Sequence, residues 1–113
     1  MAIKENKKKI EVVLGGFLER SIDYVVEVYI NNKESQVAQI FIASNRIFKV
    51  NVDRFILEWH TDCKTRINKF SLQYNNILNC YEQEIEYGNQ MVTVIMKNGM
   101  NINFECRGAG KEE

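Results

Sequence analysis

The stretch MVTVIMK-NG-MNINFEC, residues 91–106, decides the fold class of this chain. Asn-Gly between two alternating apolar runs is the strongest short-range signal for a β-hairpin, because a type I′ turn needs φ > 0 at both central residues. A two-residue turn also fixes the register of the two strands. We therefore expect Lys97 opposite Met100 and Ile95 opposite Ile102, in a hairpin that covers a core.

This register predicts two different faces. One is nearly all apolar, because it also places Thr93 opposite Phe104 and Met91 opposite Cys106. The other is half polar, because three apolar residues face three polar ones: Val92, Val94 and Met96 opposite Glu105, Asn103 and Asn101. We predict that Val92, Val94 and Met96 form an exposed interface for a protein partner or for self-association.

Composition points to one small soluble domain. The chain has 113 residues, of which 45% are hydrophobic and 27% charged, as is ordinary for a globular protein. No apolar run approaches the roughly 18 residues of a membrane span, and no secretory segment is recognisable. Three widely spaced cysteines suit reduced thiols, so we predict a cytoplasmic protein that does not bind membranes. The predicted organisation is a flexible basic arm over 1–9, a β-rich domain over 10–107 and a tail over 108–113.

The amino-terminal arm is the one strongly basic segment. Residues 1–9 hold four lysines and one glutamate, whereas the formal net charge of the whole chain is zero. An arm of this kind contacts phosphates in some nucleic-acid-binding proteins. Here it lacks arginine and interleaved aromatic residues, so weak nucleic-acid binding is only an alternative function.

Several short segments alternate in the way that β-strands do. Residues 24–30 and 47–52 do so, and 55–60 places Phe55, Leu57 and Trp59 on one face. In residues 37–43, the run Ile40-Phe41-Ile42 predicts a strand that is buried on both faces.

Two segments allow more than one interpretation. Over 10–22 the apolar residues fit a helical stripe, but Gly15-Gly16 interrupts it, and we favour a strand, a glycine bend and a short helical turn. Over 64–87 an amphipathic helix competes with two strands separated by Asn75-Asn76. Four asparagines and charges that oppose a helix dipole favour the strands.

The sequence thus predicts a mainly β domain, an antiparallel meander that forms a curled sheet or small barrel. The alternative is an α+β domain with a helix at about 64–87. The segments 43–48 and 70–77 and the closing hairpin resemble pleckstrin-homology-like bacterial domains. That family carries a helix after its last strand, where this sequence has only Arg107–Glu113, so the sequence assigns no family.

Motifs for chemistry are few. The sequence contains no phosphate-binding glycine loop, no nucleophile elbow and no paired metal-ligand motif. His60, Cys63 and Cys80 are weak candidates for a zinc site. We predict no catalytic residue, no cofactor and no resident metal.

The predicted function is a non-enzymatic binding or assembly module that associates through an exposed sheet face or edge. A second alternative, beside nucleic-acid binding, is a small-ligand-binding barrel lined by tyrosines and Trp59.

Overall fold

A computed structural model describes residues 2–60 and 66–107 of the chain. It begins with a helix and continues with eight strands. The strands are β1 Val25–Asn32, β2 Ser35–Ile42, β3 Arg46–Val50, β4 Arg54–His60, β5 Ile67–Gln73, β6 Ile77–Glu84, β7 Gln90–Met96 and β8 Met100–Arg107.

The strands are antiparallel, as the sequence predicted, and they form two sheets rather than one curled sheet. The large sheet has the order β2-β1-β8-β7-β6 and the small sheet the order β3-β4-β5. The mainly β prediction is therefore confirmed, and the part of the chain that the structure describes forms no closed barrel. The chain passes between the sheets twice, after β2 and after β5.

The two-strand interpretation of residues 64–87 is also confirmed. A short 3₁₀ turn over Tyr74–Asn76 separates β5 from β6, so the helical alternative is wrong. The predicted alternation in β4 is observed too, because Phe55, Leu57 and Trp59 are buried in the core.

The amino-terminal segment differs from its prediction. An α-helix over Ala2–Lys9, a π-helical segment over Ile10–Gly15 and an α-helix over Gly16–Arg20 follow one another without a break. We call residues 2–20 the N-terminal helix. It replaces the flexible arm predicted over 1–9 and the strand and bend predicted over 10–22, whereas the tail over 108–113 lies outside the described residues.

Burial of one helix face explains this correction. The side chains on that face lie in the core: Asn6, Ile10, Leu14, Phe17 and Leu18. Gly15 contributes by its small size, because a Cβ atom there would lie 3.2 Å from Cε1 of the Phe48 ring. Tertiary packing of an apolar face outweighs the roughly 1 kcal/mol that each glycine costs in a helix.

The closing hairpin forms, but its register is shifted by one residue. β7 ends at Met96 and β8 begins at Met100, so the loop has three residues rather than two. Among the loop residues only Gly99 has a positive φ, of 94°, and its N–H donates to the Met96 carbonyl at 3.1 Å. Asn98 therefore does not adopt the conformation that a type I′ turn requires.

The shift moves the side chains of β7 to the other face relative to those of β8. Val92 pairs with Phe104 and Val94 with Ile102, and these four side chains are buried. Because side chains alternate with a period of two, a slip of one residue places Val92 and Val94 on the core face, where Ile102 and Phe104 were already expected.

The core lies between the two sheets and beneath the N-terminal helix. The Phe70 ring of the small sheet meets the Phe104 ring of the large sheet edge-on, with centroids 5.9 Å apart. Phe48 and Phe55 stack at 5.3 Å within the small sheet. None of the helices within residues 2–60 and 66–107 has the length and apolar character needed to cross a membrane.

Arg46 fixes the end of the N-terminal helix to the start of β3. Its guanidinium donates hydrogen bonds to the carbonyls of Leu18 at 3.2 Å, Ser21 at 2.5 Å and Tyr24 at 2.7 Å. It also donates to the Ala43 carbonyl at 3.1 Å, in the link between β2 and β3. A cation at a helix carboxyl end satisfies carbonyls that have no helical partner. Burial lowers the pKa of this side chain.

Candidate functional site

The interface predicted on the hairpin lies inside the protein. Val92 and Val94 have no exposed surface, and Met96 is partly buried against the core. The prediction of an exposed face at these residues is wrong, and its cause is the three-residue loop described above. Any association surface must be sought elsewhere.

The candidate zinc ligands lie in different surroundings. Cys63 is outside the described residues. His60 ends β4, and its Nδ1 atom is buried without a hydrogen-bond partner in the described part of the chain. Cys80 is buried in the core, and burial raises the pKa of its thiol to about 12, although Lys9 acts in the opposite direction. Zinc binds the thiolate, so this environment disfavours Cys80 as a ligand.

No other part of the described chain offers a metal site. Residues 2–60 and 66–107 contain no group of three or more histidine, cysteine, aspartate or glutamate side chains that could hold a metal ion.

The tyrosines do not form the predicted ligand-binding lining. Tyr74 is buried in the core, whereas Tyr24 and Tyr81 are exposed on the surface. Trp59 packs inward and is 6% exposed. The tyrosine-lined barrel therefore has no counterpart in the described residues.

The lysines of the N-terminal helix border a shallow surface groove of about 610 Å³. Lys4, Lys8 and Lys9 line it together with Glu5, Val12 and Val13. The apolar stems of the lysines and the two valines supply most of this surface. The glutamate and the absence of arginine or aromatic side chains from this lining do not favour nucleic-acid binding.

The two edges of the large sheet attract most interest because an edge strand exposes unpaired backbone groups. β6 forms one edge, and the N-terminal helix packs against it. The Asn6 side chain donates to the Ile77 carbonyl at 2.9 Å, and Lys9 donates to the Asn79 side chain at 3.1 Å. Arg20 pairs with Glu82 at 2.5 Å. This edge is covered by the chain itself.

β2 forms the other edge, and within the described residues it pairs only with β1. No residue of Ser35–Ile42 carries a charge. Phe41 is 53% exposed and Gln39 is also exposed. The sequence predicted that this strand is buried on both faces, and the exposed Phe41 ring contradicts that prediction.

A β-bulge limits the regular part of β2. Ile30 pairs with Ala38, but the next residue of β1, Asn31, pairs with Gln36, so Val37 is an extra residue on β2. A bulge disturbs an edge locally and hinders strand pairing at that point. The regular, unbulged part of this edge is Ala38–Ile42. We call it the β2 edge.

A groove of about 330 Å³, lined by both apolar and polar side chains, lies beside the β2 edge. It separates β2 of the large sheet from β5 of the small sheet, and Trp59 of β4 contributes to it. Its lining residues are Ile40, Phe41, Trp59, Asn68, Lys69 and Phe70. The β2 edge, which pairs only with β1 within the described residues, thus lies next to the apolar side chains of Trp59 and Phe70 and the polar ones of Asn68 and Lys69.

Polar side chains tie the β2 edge to the inner strands on the outer face. Gln39 donates to the Glu27 carboxylate of β1, and Glu27 lies directly opposite Glu105 of β8. Burial raises the pKa of Glu105, and the neighbouring Glu27 raises it further. Glu27 lies one strand inward from the β2 edge, and Glu105 lies two strands inward.

The edges of the small sheet carry charges that β2 lacks. Lys49 lies on β3, which is five residues long, and Lys69 lies on β5, where it approaches Glu58 at 3.8 Å. Lysine and short length are common protections of an edge against pairing with another chain. Of the four edge strands that the structure describes, only β2 is both uncharged and uncovered by a helix.

Comparison with known proteins provides no further guide. No family model, no curated protein and no solved structure matches this chain. The β2 edge was not recognised from the sequence, because edge position depends on the non-local pairing of β1 with β8. The one available signal was the apolar run Ile40-Phe41-Ile42 itself.

Proposed function

We propose that this protein is a non-enzymatic association module that binds another protein strand along the β2 edge. One observation carries the proposal. Within the described residues, the β2 edge is an uncharged strand that pairs only with β1 and lies beside a groove containing Ile40, Trp59 and Phe70, whereas the N-terminal helix packs against the opposite edge of the same sheet.

The backbone of the β2 edge supplies the binding energy in this proposal. An added antiparallel strand pairs with N–H and C=O groups that have no strand partner within the described residues. Main-chain pairing of this kind provides affinity with little dependence on sequence.

The groove supplies selectivity. Alternate side chains of an added strand point to the same face of the sheet. Those that point inward would contact Ile40, Trp59 and Phe70, so we expect a preference for apolar residues at alternate positions. In the complex, the apolar run in β2 gains a neighbouring strand along its edge.

We place this association in the cytoplasm. Cys80 is a free thiol, and free thiols persist in a reducing compartment.

A peptide selection tests the proposal. Random peptides of about ten residues, the upper end of usual strand length, are displayed on phage and selected on sparsely immobilised protein. The best peptide is then synthesised and titrated into the ¹⁵N-labelled chain. We expect chemical-shift changes and slowed amide exchange to concentrate in Ala38–Ile42.

Two glutamine substitutions provide the matched comparison. Gln39→Lys places a charge on the β2 edge and should weaken peptide binding about tenfold or more. Gln83→Lys makes the same chemical change on β6, at the covered edge, and should leave binding unchanged. Failure to select any peptide, or peptides that bind Gln39→Lys as well as the unaltered chain, would contradict the proposal.

A further inference from the structure

We propose that the occupant of the β2 edge is a second copy of this chain, related to the first by a twofold axis at Ile40. The inference rests on the proposed function of the β2 edge and names its partner. In this dimer the two large sheets join into one continuous sheet, β6-β7-β8-β1-β2 followed by β2-β1-β8-β7-β6 of the second copy.

The absence of charge on β2 makes it compatible with itself. When a strand pairs with its own copy in antiparallel orientation, each residue near the axis faces itself or a close neighbour. A lysine or glutamate near the axis would then face a like charge, which destabilises a sheet. β3 and β5 carry Lys49 and Lys69, and β6 carries Glu82 and Glu84, but β2 carries none. Among the described edges β2 is thus the one suited to pairing with itself.

The bulge selects the register. Val37 interrupts the regular strand, so Ala38–Ile42 is the segment that each copy can offer. Only an axis at the middle residue, Ile40, pairs all five residues. Residues that lie directly opposite each other in antiparallel strands must share a face of the sheet. An axis at Ile40 satisfies this requirement, because it pairs even-numbered residues with even-numbered ones and odd with odd.

The resulting pairs are chemically compatible. Ile40 faces Ile40 of the second copy, and Ala38 faces Ile42 of the second copy, on the inner face that carries the core residue Ile42. On the outer face, the exposed Gln39 lies opposite Phe41 of the second copy, and Phe41 lies opposite Gln39 of the second copy. Each exposed Phe41 ring gains a further neighbour, and none of the paired residues carries a charge.

The groove adds side-chain surface to the same interface. Because Ile40 and Phe41 line the groove, a copy that pairs along β2 also covers its mouth. The twofold axis places the two grooves on opposite sides of the interface. Each subunit therefore contributes the same surface, the β2 edge and its groove, as in the commonest class of protein dimer.

Sedimentation velocity on the full chain gives the first test. A single strand pair belongs to the small class of interfaces, so we expect a dimer with a dissociation constant on the order of 10 µM. Gln39→Lys should raise that constant about tenfold or more, because the two introduced lysines lie near the axis. Gln83→Lys should leave it unchanged.

Cysteine pairs report the register. Gln39→Cys and Phe41→Cys are prepared as separate variants, mixed and oxidised with diamide. We expect a disulfide between position 39 of one copy and position 41 of the other in the mixture, and none between identical copies of either variant. Trypsin releases residues 34–46 as one peptide without any native cysteine, so mass spectrometry identifies the bond.

The outcomes separate this inference from the proposed function. A chain that stays monomeric at about 500 µM, far above the expected dissociation constant, overturns the second-copy inference. If selected peptides then still protect Ala38–Ile42 from exchange, the proposed function stands. A dimer insensitive to Gln39→Lys, or a disulfide that joins position 39 of two Gln39→Cys copies, contradicts the proposed pairing. Failure of both the dimer and the peptide selection removes the function as well.

Discussion

β6 and β2 are the two edges of the same five-stranded sheet, yet the N-terminal helix packs against β6, whereas β2 pairs only with β1 within the described residues. The N-terminal helix lies along β6 and contacts it through Asn6, Lys9 and Arg20. β2 has no such cover in the described residues and carries no charge. We call these the covered edge and the open edge.

The two edges differ in how the pairing of their exposed backbone with another chain is prevented. Any edge strand can pair with another chain, and covering it with a helix or placing lysine on it are common protections. Protection of the covered edge uses a helix of residues 2–20 and several specific side chains. That the open edge has neither protection, beyond the bulge at Val37, supports a role in binding.

The largest expected effect on stability comes from detaching the carboxyl end of the N-terminal helix. Arg46→Ala removes the hydrogen bonds to the carbonyls of Leu18, Ser21 and Tyr24. Because these acceptors lose a charged donor, we expect the free energy of unfolding to fall by about 3 kcal/mol or more. Urea unfolding followed by Trp59 fluorescence measures this loss. In the folded fraction, β6 amides should exchange almost as fast as those of the open edge.

Arg46→Lys is the control for this experiment. Lysine keeps a cation near the helix end but lacks the planar fork that contacts several carbonyls together. We expect it to recover part of the lost stability. A loss below about 1 kcal/mol in Arg46→Ala would show that the helix end is held by its apolar contacts alone.

A smaller effect on stability is expected from a substitution in the amino-terminal half of the N-terminal helix. The Asn6 amide donates to the carbonyls of Tyr74 at 2.8 Å and Ile77 at 2.9 Å, at the start of β6. Asn6→Asp has the same shape but presents a carboxylate to two carbonyl oxygens. We expect a loss of about 2 kcal/mol at pH 7, measured by urea unfolding.

The pH dependence of Asn6→Asp identifies the cause. The carbonyl oxygens disfavour the carboxylate, so the pKa of the aspartate introduced at position 6 should be higher in the folded chain than in the unfolded chain. The folded state then binds the proton more tightly, and stability should recover as the pH falls through the folded-state pKa. Asn6→Ala should lose about 1 kcal/mol with no such recovery. An Asn6→Asp variant as stable as the unaltered chain at pH 7 would exclude a structural role for the Asn6 amide.

Substitutions at the two adjacent glycines test how closely the N-terminal helix packs against the rest of the protein. A Cβ on Gly16 meets only the Arg20 side chain, at 3.5 Å, so Gly16→Ala should stabilise the helix by about 0.5–1 kcal/mol. A Cβ on Gly15 would lie 3.2 Å from the Phe48 ring, which is itself stacked on Phe55. Gly15→Ala should therefore be about 1 kcal/mol less stable than Gly16→Ala. Equal thermal midpoints in the two variants would show that the Phe48 ring moves freely.

The sequence predicted those parts of the fold that depend on local patterns. The division of 64–87 into two strands was correct because Asn75-Asn76 provides a local turn. The prediction that Phe55, Leu57 and Trp59 share one face was correct because alternation alone determines it.

The rest of the fold depended on features that local patterns do not contain. The hairpin register turned on whether Asn98 adopts a positive φ, and one residue of error exchanged the core and surface faces of β7. The N-terminal helix forms because its apolar face is buried in the core, where Gly15 lies close to a distant ring, Phe48. The edge position of β2 results from the pairing of β1 with β8, which are far apart in sequence.

The smallest expected effect lies inward from the open edge, where Glu27 and Glu105 face each other. Burial, and then Glu27, raises the pKa of Glu105 in the folded chain above its ordinary value of 4.5. A folded state that binds the proton more tightly than the unfolded state gains stability as the pH falls, and loses it as the pH rises from about 4.5 through the folded-state pKa. Glu105→Gln removes that loss.

We therefore expect Glu105→Gln to raise stability at pH 7 by a few tenths to about 1 kcal/mol, as for relief of a like-charge pair in a sheet. The gain should shrink toward pH 4.5, the ordinary value for the carboxyl. Urea unfolding across this range measures it, with the exposed Glu34→Gln as the charge-matched control. Because Gln39 of the open edge bonds Glu27, the same variant should also slow amide exchange in β2 but not in β6. Equal slowing of amide exchange in β2 and β6 would mean that the open edge is no more sensitive to the Glu27 and Glu105 pair than the covered edge.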